Sequence, residues 1–208
     1  RLGDLHRKLG DLPNAYDQYV EAILYVERLA ELDPENLRWK DDLMNALNLA
    51  GMVAKKQDRA QEAMRIFRSA QEIAARYASD AGAGLLWKED LMSSHANLAS
   101  LHMDIGDFAA ARSEYEQALA IAMAMAEAKP GDEGMQRKVV YRLWDLGNAC
   151  SVADDADAML EHYEKALQVG PKEPHDIKSA ETIIWSLRKA AFAYRRVGDL
   201  QTTLRYLK

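Results

Sequence analysis

The chain has 208 residues, 49% of them apolar, a net charge of −6 and a single cysteine, Cys150. No uninterrupted apolar run approaches the ~18 residues of a membrane span. One cysteine excludes an internal disulfide and fits a reducing compartment, and the acidic balance disfavours phosphate backbones, which call for Lys and Arg in excess along one face. A cytoplasmic location, with no nucleic-acid and no membrane partner, is the expectation.

The chain starts on Arg1 inside what reads as a helix, with no initiator Met and no signal-peptide core, so a fragment of a longer protein is expected. The first landmarks are Leu2-Gly3, Gly10, Ala15, Tyr19 and Ala22, and they return 48 residues on as Ala50-Gly51, Asp58, Ala63, Phe67 and Ala70. A third copy gives Leu98-Ala99, Gly106, Ala111, Tyr115 and Ala118, and a fourth gives Leu146-Gly147, Asp154, Met159, Tyr163 and Ala166. A fifth begins after a step of 44, at Ala190-Ala191 and Gly198. Self-similarity at a fixed period marks a solenoid, in which each unit buries its apolar face only against its neighbours.

Apolar residues recur at three-and-four spacing on both sides of each turn, for example Leu43, Leu47, Ala50 and Ala54 before Asp58 and Ala63, Ile66, Phe67, Ala70 and Ala74 after it. Each unit is therefore a helical hairpin, with helices expected over about 35–57 and 59–79, 83–105 and 107–127, 131–153 and 155–169, and 175–197 and 199–208. Pro34, Pro130 and Pro174 are expected at or near first turns, with Gly82 at the aligned position of the third unit. Nothing alternates with period two and no Ser/Gly-rich linker interrupts the chain. A single all-α domain over 1–208 is expected, with repeats at about 1–33 (partial), 34–81, 82–129, 130–173 and 174–208 (partial).

These residues resemble the tetratricopeptide repeat: Gly or Ala at the crossing (Gly3, Gly51, Ala99, Gly147, Ala191), Gly or Asp at the turn, then Ala, an aromatic and Ala on the second helix. A small residue lets the two helices approach closely and the aromatic fills the wedge beside it. The resemblance spans the whole chain and implies a right-handed α-solenoid of antiparallel helical hairpins. The first-helix aromatic of the family is replaced by Leu47, His95, Leu143 and Leu187, and the period is 48 instead of ~34. The surplus divides best as about seven residues on each helix, because seven residues return nearly to the same helical face. The four-residue deletion is expected in the fourth unit's second helix or the loop after it. Trp39-Lys40-Asp41-Asp42-Leu43 and Trp87-Lys88-Glu89-Asp90-Leu91 look like the extended repeats common in large bacterial proteins. In that pattern the tryptophans read as packing anchors, and Asp42 and Asp90 as first-turn complements to the helix dipole.

No catalytic or cofactor motif stands out, so no enzyme, no cofactor and no metal site is expected. His95 and His102 lie seven apart and share core-facing register with Cys150 and His6, without Cys or His partners at ligand spacing. Asp154-Asp155-Ala156-Asp157 lacks the spacing of a calcium loop and reads as a solvated helix start.

What the resemblance implies is binding. First helices of such arrays line a concave groove, which here comprises Asn45, Asn48, Met52 and Lys55, then Ser93, Ala96, Ser100 and Met103, then Tyr141, Trp144, Asn148 and Ser151, then Trp185, Arg188, Phe192 and Arg195. The first half is small and polar; the second brings aromatics together with arginines, the residue types that dominate interfaces. The family's basic clamp for a C-terminal carboxylate is not reproduced, since Tyr141 and Asp145 stand at its last two basic positions. Residues 174–208 carry seven basic against three acidic side chains, +4, which leaves −10 on residues 1–173. The expectation is a protein-interaction scaffold holding a peptide or helix at Tyr141, Trp144, Asn148, Trp185, Arg188, Phe192 and Arg195, with an acidic, partly apolar partner or another domain of the same chain. The alternative is a regulatory array attached to a kinase, protease or nucleotide-switch domain.

Overall fold

The structure is a computed structural model that describes residues 2–78, 84–173 and 175–206. Ten helices, and no strand, occur among these residues, and they fall into two compact units, Arg1–Ile105 and Gly106–Lys208. The first unit holds α1 (Leu2–Lys8), α2 (Leu12–Leu32), α3 (Leu37–Lys56), α4 (Ala60–Ala78) and α5 (Leu85–Asp104). The second holds α6 (Phe108–Ala128), α7 (Glu133–Val152), α8 (Ala156–Val169), α9 (Ile177–Arg196) and α10 (Leu200–Tyr206). Within each unit every helix packs on the next, and α3 also touches α5 as α7 touches α9. The architecture is an α-solenoid of antiparallel hairpins. Helices of 19 to 21 residues, α3 to α7, run unbroken through Ala74 and Ala122, both fully buried. The lengthening is thus shared between the two helices of a hairpin.

The turn landmark has a backbone cause. Gly10, Asp58, Gly106, Asp154 and Gly198 all sit at positive φ, between 59° and 86°. Only Gly adopts this region freely, and Asp is among the few other residues that tolerate it, which explains why the position alternates between those two.

The crossing landmark has a packing cause. A Cβ placed on Gly3 would lie 2.8 Å from Tyr19, on Gly51 2.5 Å from Phe67 and on Gly147 2.2 Å from Tyr163. In each case the second-helix aromatic lies flat against its own hairpin's first helix, in space that a single methyl would occupy. Tyr19, Phe67, Tyr115 and Tyr163 are all buried. The first unit's core joins Ala15, Tyr19, Val53, Phe67 and Leu98, with a second cluster around Met44, Leu47, Ala74 and Trp87. In the second unit Cys150, Met159, Tyr163, Ala190 and Ala193 pack together.

Two local expectations need correction. The prolines do not open the helices: α3 is capped by Asn36 and α7 by Asp132, whose side chains accept from Arg38 and Met135 backbone N–H groups, and Pro34 and Pro130 lie in the turns before them. The third such proline, Pro174, and Gly82 lie outside the described residues; α9 begins at Ile177, on a capping box between Asp176 and Ser179. Nor do Asp42 and Asp90 lie in first turns, because α3 and α5 start at Leu37 and Leu85. Asp42 pairs with Arg38 instead, while burial, reinforced by Asp41 and Glu89, pushes the Asp90 carboxyl up to about 6. The deletion falls in the fourth hairpin: α8 is 14 residues against 21 in α6, and the loop after it recovers three, spanning 170–176 where 129–132 follows α6.

Candidate functional site

The first-helix face of the second unit is built from α7 and α9. Helical spacing puts Asn148, Ser151 and Val152 of α7 on one side, and Trp185, Arg188, Lys189 and Phe192 of α9 on the other, with Tyr163 of α8 reaching in from behind. Together they line an open cleft of about 380 Å³. Trp185 is 51% and Phe192 49% exposed, although both are large apolar side chains in the middle of an ordered helix.

Asn148 is fixed from behind. Its Oδ1 accepts from the Tyr163 hydroxyl at 2.8 Å and from the Lys189 ammonium at 2.7 Å. Burial pushes the Tyr163 phenol up to about 12, so this hydroxyl stays protonated and donates. With two donors on the oxygen, the amide orientation is determined, and its NH₂ remains to donate into the cleft. Lys189 also stands 5.2 Å from the Tyr163 ring centroid and 5.8 Å from that of Trp144. Burial lowers its pKa, with Asp145 acting in the opposite direction. Asp145 itself pairs with Arg142 at 3.1 Å. The Arg188 guanidinium lies 5.6 Å from the Trp185 ring. Among the described residues neither Lys189 nor Arg188 has a carboxylate within ion-pair distance.

Four of the seven expected binding residues, Asn148, Trp185, Arg188 and Phe192, therefore meet in one cleft. The other three do not line it. Tyr141 and Trp144 lie one to two turns earlier on α7, their rings 5.2 Å apart. Trp144 is half-buried against the Tyr163 cluster, its indole N–H enclosed without an acceptor. Arg195 is exposed in the last turn of α9. Neighbouring Arg196 is turned away to Asp154 and the Ser151 carbonyl. Lys189 and Tyr163 were missed as site residues. Lys189 was findable, since it is four residues after Trp185 and three before Phe192 on the same face.

In the first unit the equivalent face is closed by its own polar side chains. Asn97 donates to Asn48 at 3.2 Å, and Lys55 reaches both Ser100, at 2.5 Å, and Asp104, at 3.0 Å. His95 is partly buried beside Gln71. Cys150 is buried, with burial raising its thiol pKa. Among the described residues no group of three His, Cys, Asp or Glu could hold a metal, and no helix is long and apolar enough to cross a membrane.

Against known families, the tetratricopeptide repeat model matches residues 93–122. The chain carries a tetratricopeptide repeat. The match begins inside α5 and ends inside α6, leaving 85–92 and 123–128 outside it, close to two turns at each end. Among solved structures, BtubC (BKLC) from P. vanneervenii is similar over 99% of this chain and 74% of its own, with a TM-score of 0.77 at 20% identity. A set of nearly identical TPR-like repeats from Podosopora anserina gives 0.65 at 16% identity, over 99% and 88% of the two chains. MamA gives 0.55 at 15% identity, over 99% and 90%. At these identities the likeness establishes the fold alone, a solenoid of helical hairpins. No curated protein matches the sequence.

Proposed function

We propose that the chain is a protein-interaction scaffold and that a partner segment seats on α7 and α9. The observation that carries this reading is the pairing, in one cleft, of two exposed aromatics, Trp185 and Phe192, with two cations, Arg188 and Lys189, neither of which has a carboxylate within ion-pair distance among the described residues. Desolvated aromatics and arginines supply most of the energy of interfaces. The Asn148 amide would donate to a backbone carbonyl of the segment, Arg188 and Lys189 would pair its acids, and Trp185 and Phe192 would cover its apolar side chains. Tyr141 and Trp144 extend the same face along α7, and Arg195 would hold the far end. The preferred ligand is an acidic segment with interspersed apolar residues.

The test is a titration with labelled peptides of alternating Glu and Leu, beside Glu–Ser peptides of equal charge. The Glu–Leu peptide should bind, and Trp185→Ala and Arg188→Ala should each weaken it by ~1 to 3 kcal/mol, the arginine effect fading in high salt. Equal binding by both variants and wild type, with loss in Asn45→Ala or Asn48→Ala, would move the site to the polar face of the first unit.

A further inference from the structure

A second cleft lies in the first unit. It measures about 830 Å³ and opens between the last turns of α2, the first turns of α3 and the last turns of α4. Glu27 and Glu31 of α2 and Glu35 of the following turn line it. Leu43, Ile73, Arg76 and Tyr77 line it as well, the Tyr77 ring tilted at 37° to that of buried Trp87 with centroids 4.8 Å apart. The Lys40 ammonium is held over the Tyr77 ring, 4.6 Å from its centroid.

Two observations mark this cleft. All three glutamates are exposed, and none has a hydrogen-bond or ion-pair partner among the described residues. The three carboxylates outnumber the two cations that line the same cleft, Lys40 and Arg76, and stand beside the apolar surface of Leu43, Ile73 and Tyr77. Second, the cleft is made by the lengthening of the repeat. Shifted by the period of 48, the helix ends outside the tetratricopeptide match correspond to 37–44 of α3, 75–78 of α4 and 27–32 of α2. Glu27, Glu31, Lys40, Leu43 and Tyr77 all fall in these stretches. Helices of ordinary repeat length would end before the walls rise.

We infer that this cleft docks a basic, partly apolar segment of a partner protein, opposite in charge to the ligand of the second unit. Glu27 and Glu31 are one turn apart, roughly 6 Å along α2. Alternate residues of an extended chain repeat every ~6.6 Å, so Lys at every second position meets both carboxylates while the residues between them face Tyr77, Leu43 and Ile73. The inference stands on its own observations and does not depend on the α7–α9 reading.

Fluorescence anisotropy with the full chain and labelled Lys-Leu-Lys-Leu-Lys and Lys-Ser-Lys-Ser-Lys peptides tests it. The Lys–Leu peptide should bind more tightly than the Lys–Ser peptide. The double variant E27Q/E31Q should weaken it about tenfold at low salt, whereas W185A/R188A should leave it unchanged. Both pairs are exposed, and circular dichroism confirms the helices in each. Any of four results overturns the inference: no binding of the Lys–Leu peptide, equal binding of the Lys–Ser peptide, an unaltered affinity in E27Q/E31Q, or the same loss from neutralising two other exposed acids, Asp17→Asn and Glu72→Gln, which would reduce the effect to net charge.

Discussion

The two units use one hairpin design and finish its first-helix face in opposite ways. In the first unit, Asn48 with Asn97 and Lys55 with Ser100 and Asp104 pair across α3 and α5, so the polar groups that could meet a ligand already meet each other. In the second, Asn148 is held by its oxygen, from Tyr163 and Lys189, which leaves its NH₂, the Arg188 guanidinium and two aromatic rings outward. The first unit instead places its unpaired charge at the lengthened helix ends. What the difference teaches is that the repeat fixes where a side chain points, while the pairing of that side chain with the next helix decides whether it is available.

The shared part of the design is the strongest place to test this. Phe67→Ala should cost about 4 kcal/mol by leaving a cavity in the first unit's core, read by chemical denaturation. A loss under about 1 kcal/mol would mean that the aromatic landmark is not a packing element. Next in size is Gly147→Ala. Its Cβ would stand 2.2 Å from a Tyr163 ring that is only 2% exposed, and the ~1 kcal/mol of helix propensity gained does not offset the overpacking, so a net loss of about 2 kcal/mol is expected. Because Tyr163 orients Asn148, this variant should also weaken the Glu–Leu peptide, whereas Gly51→Ala should destabilise similarly and leave that binding intact. Equal effects of both on binding would erase the distinction between the units.

A smaller effect separates the units by pH. The folded-state pKa of Asp90, about 6, lies above its ordinary value of 3.8, so in the window between them the folded chain takes up a proton that the unfolded chain does not. Wild type should therefore gain stability from this group as pH falls from neutral to about 4, and Asp90→Asn should be the more stable protein at neutral pH by on the order of 1 kcal/mol, allowing for solvent screening at a partly exposed site. The advantage should vanish at the acid end of that window; a difference independent of pH would show that the carboxyl is not strained by burial. Smallest is the turn. Asp58→Gly should stabilise by ~0.5 kcal/mol at most, the relief at positive φ being partly cancelled by the freer unfolded chain.

The sequence by itself determined the hairpins, their boundaries to within about three residues, and the aromatic spine, because each depends on residues within one unit whose spacing is strict. Gly or Asp at positive φ and Gly beneath an aromatic are local requirements, and a period of 48 repeats them where they can be read. Four of the seven proposed binding residues were legible for the same reason, since α7 and α9 each present one face at helical spacing. Only the tertiary structure decided that Tyr163 and Lys189 both bond Asn148, that Trp144 packs against the Tyr163 cluster instead of lining the cleft, that Asn48 and Lys55 are already engaged, and that Glu27, Glu31 and Tyr77 line one open cleft. Each of those depends on which side chain of one helix reaches which group on another, and periodicity along one strand of sequence carries no record of the distance between two helices.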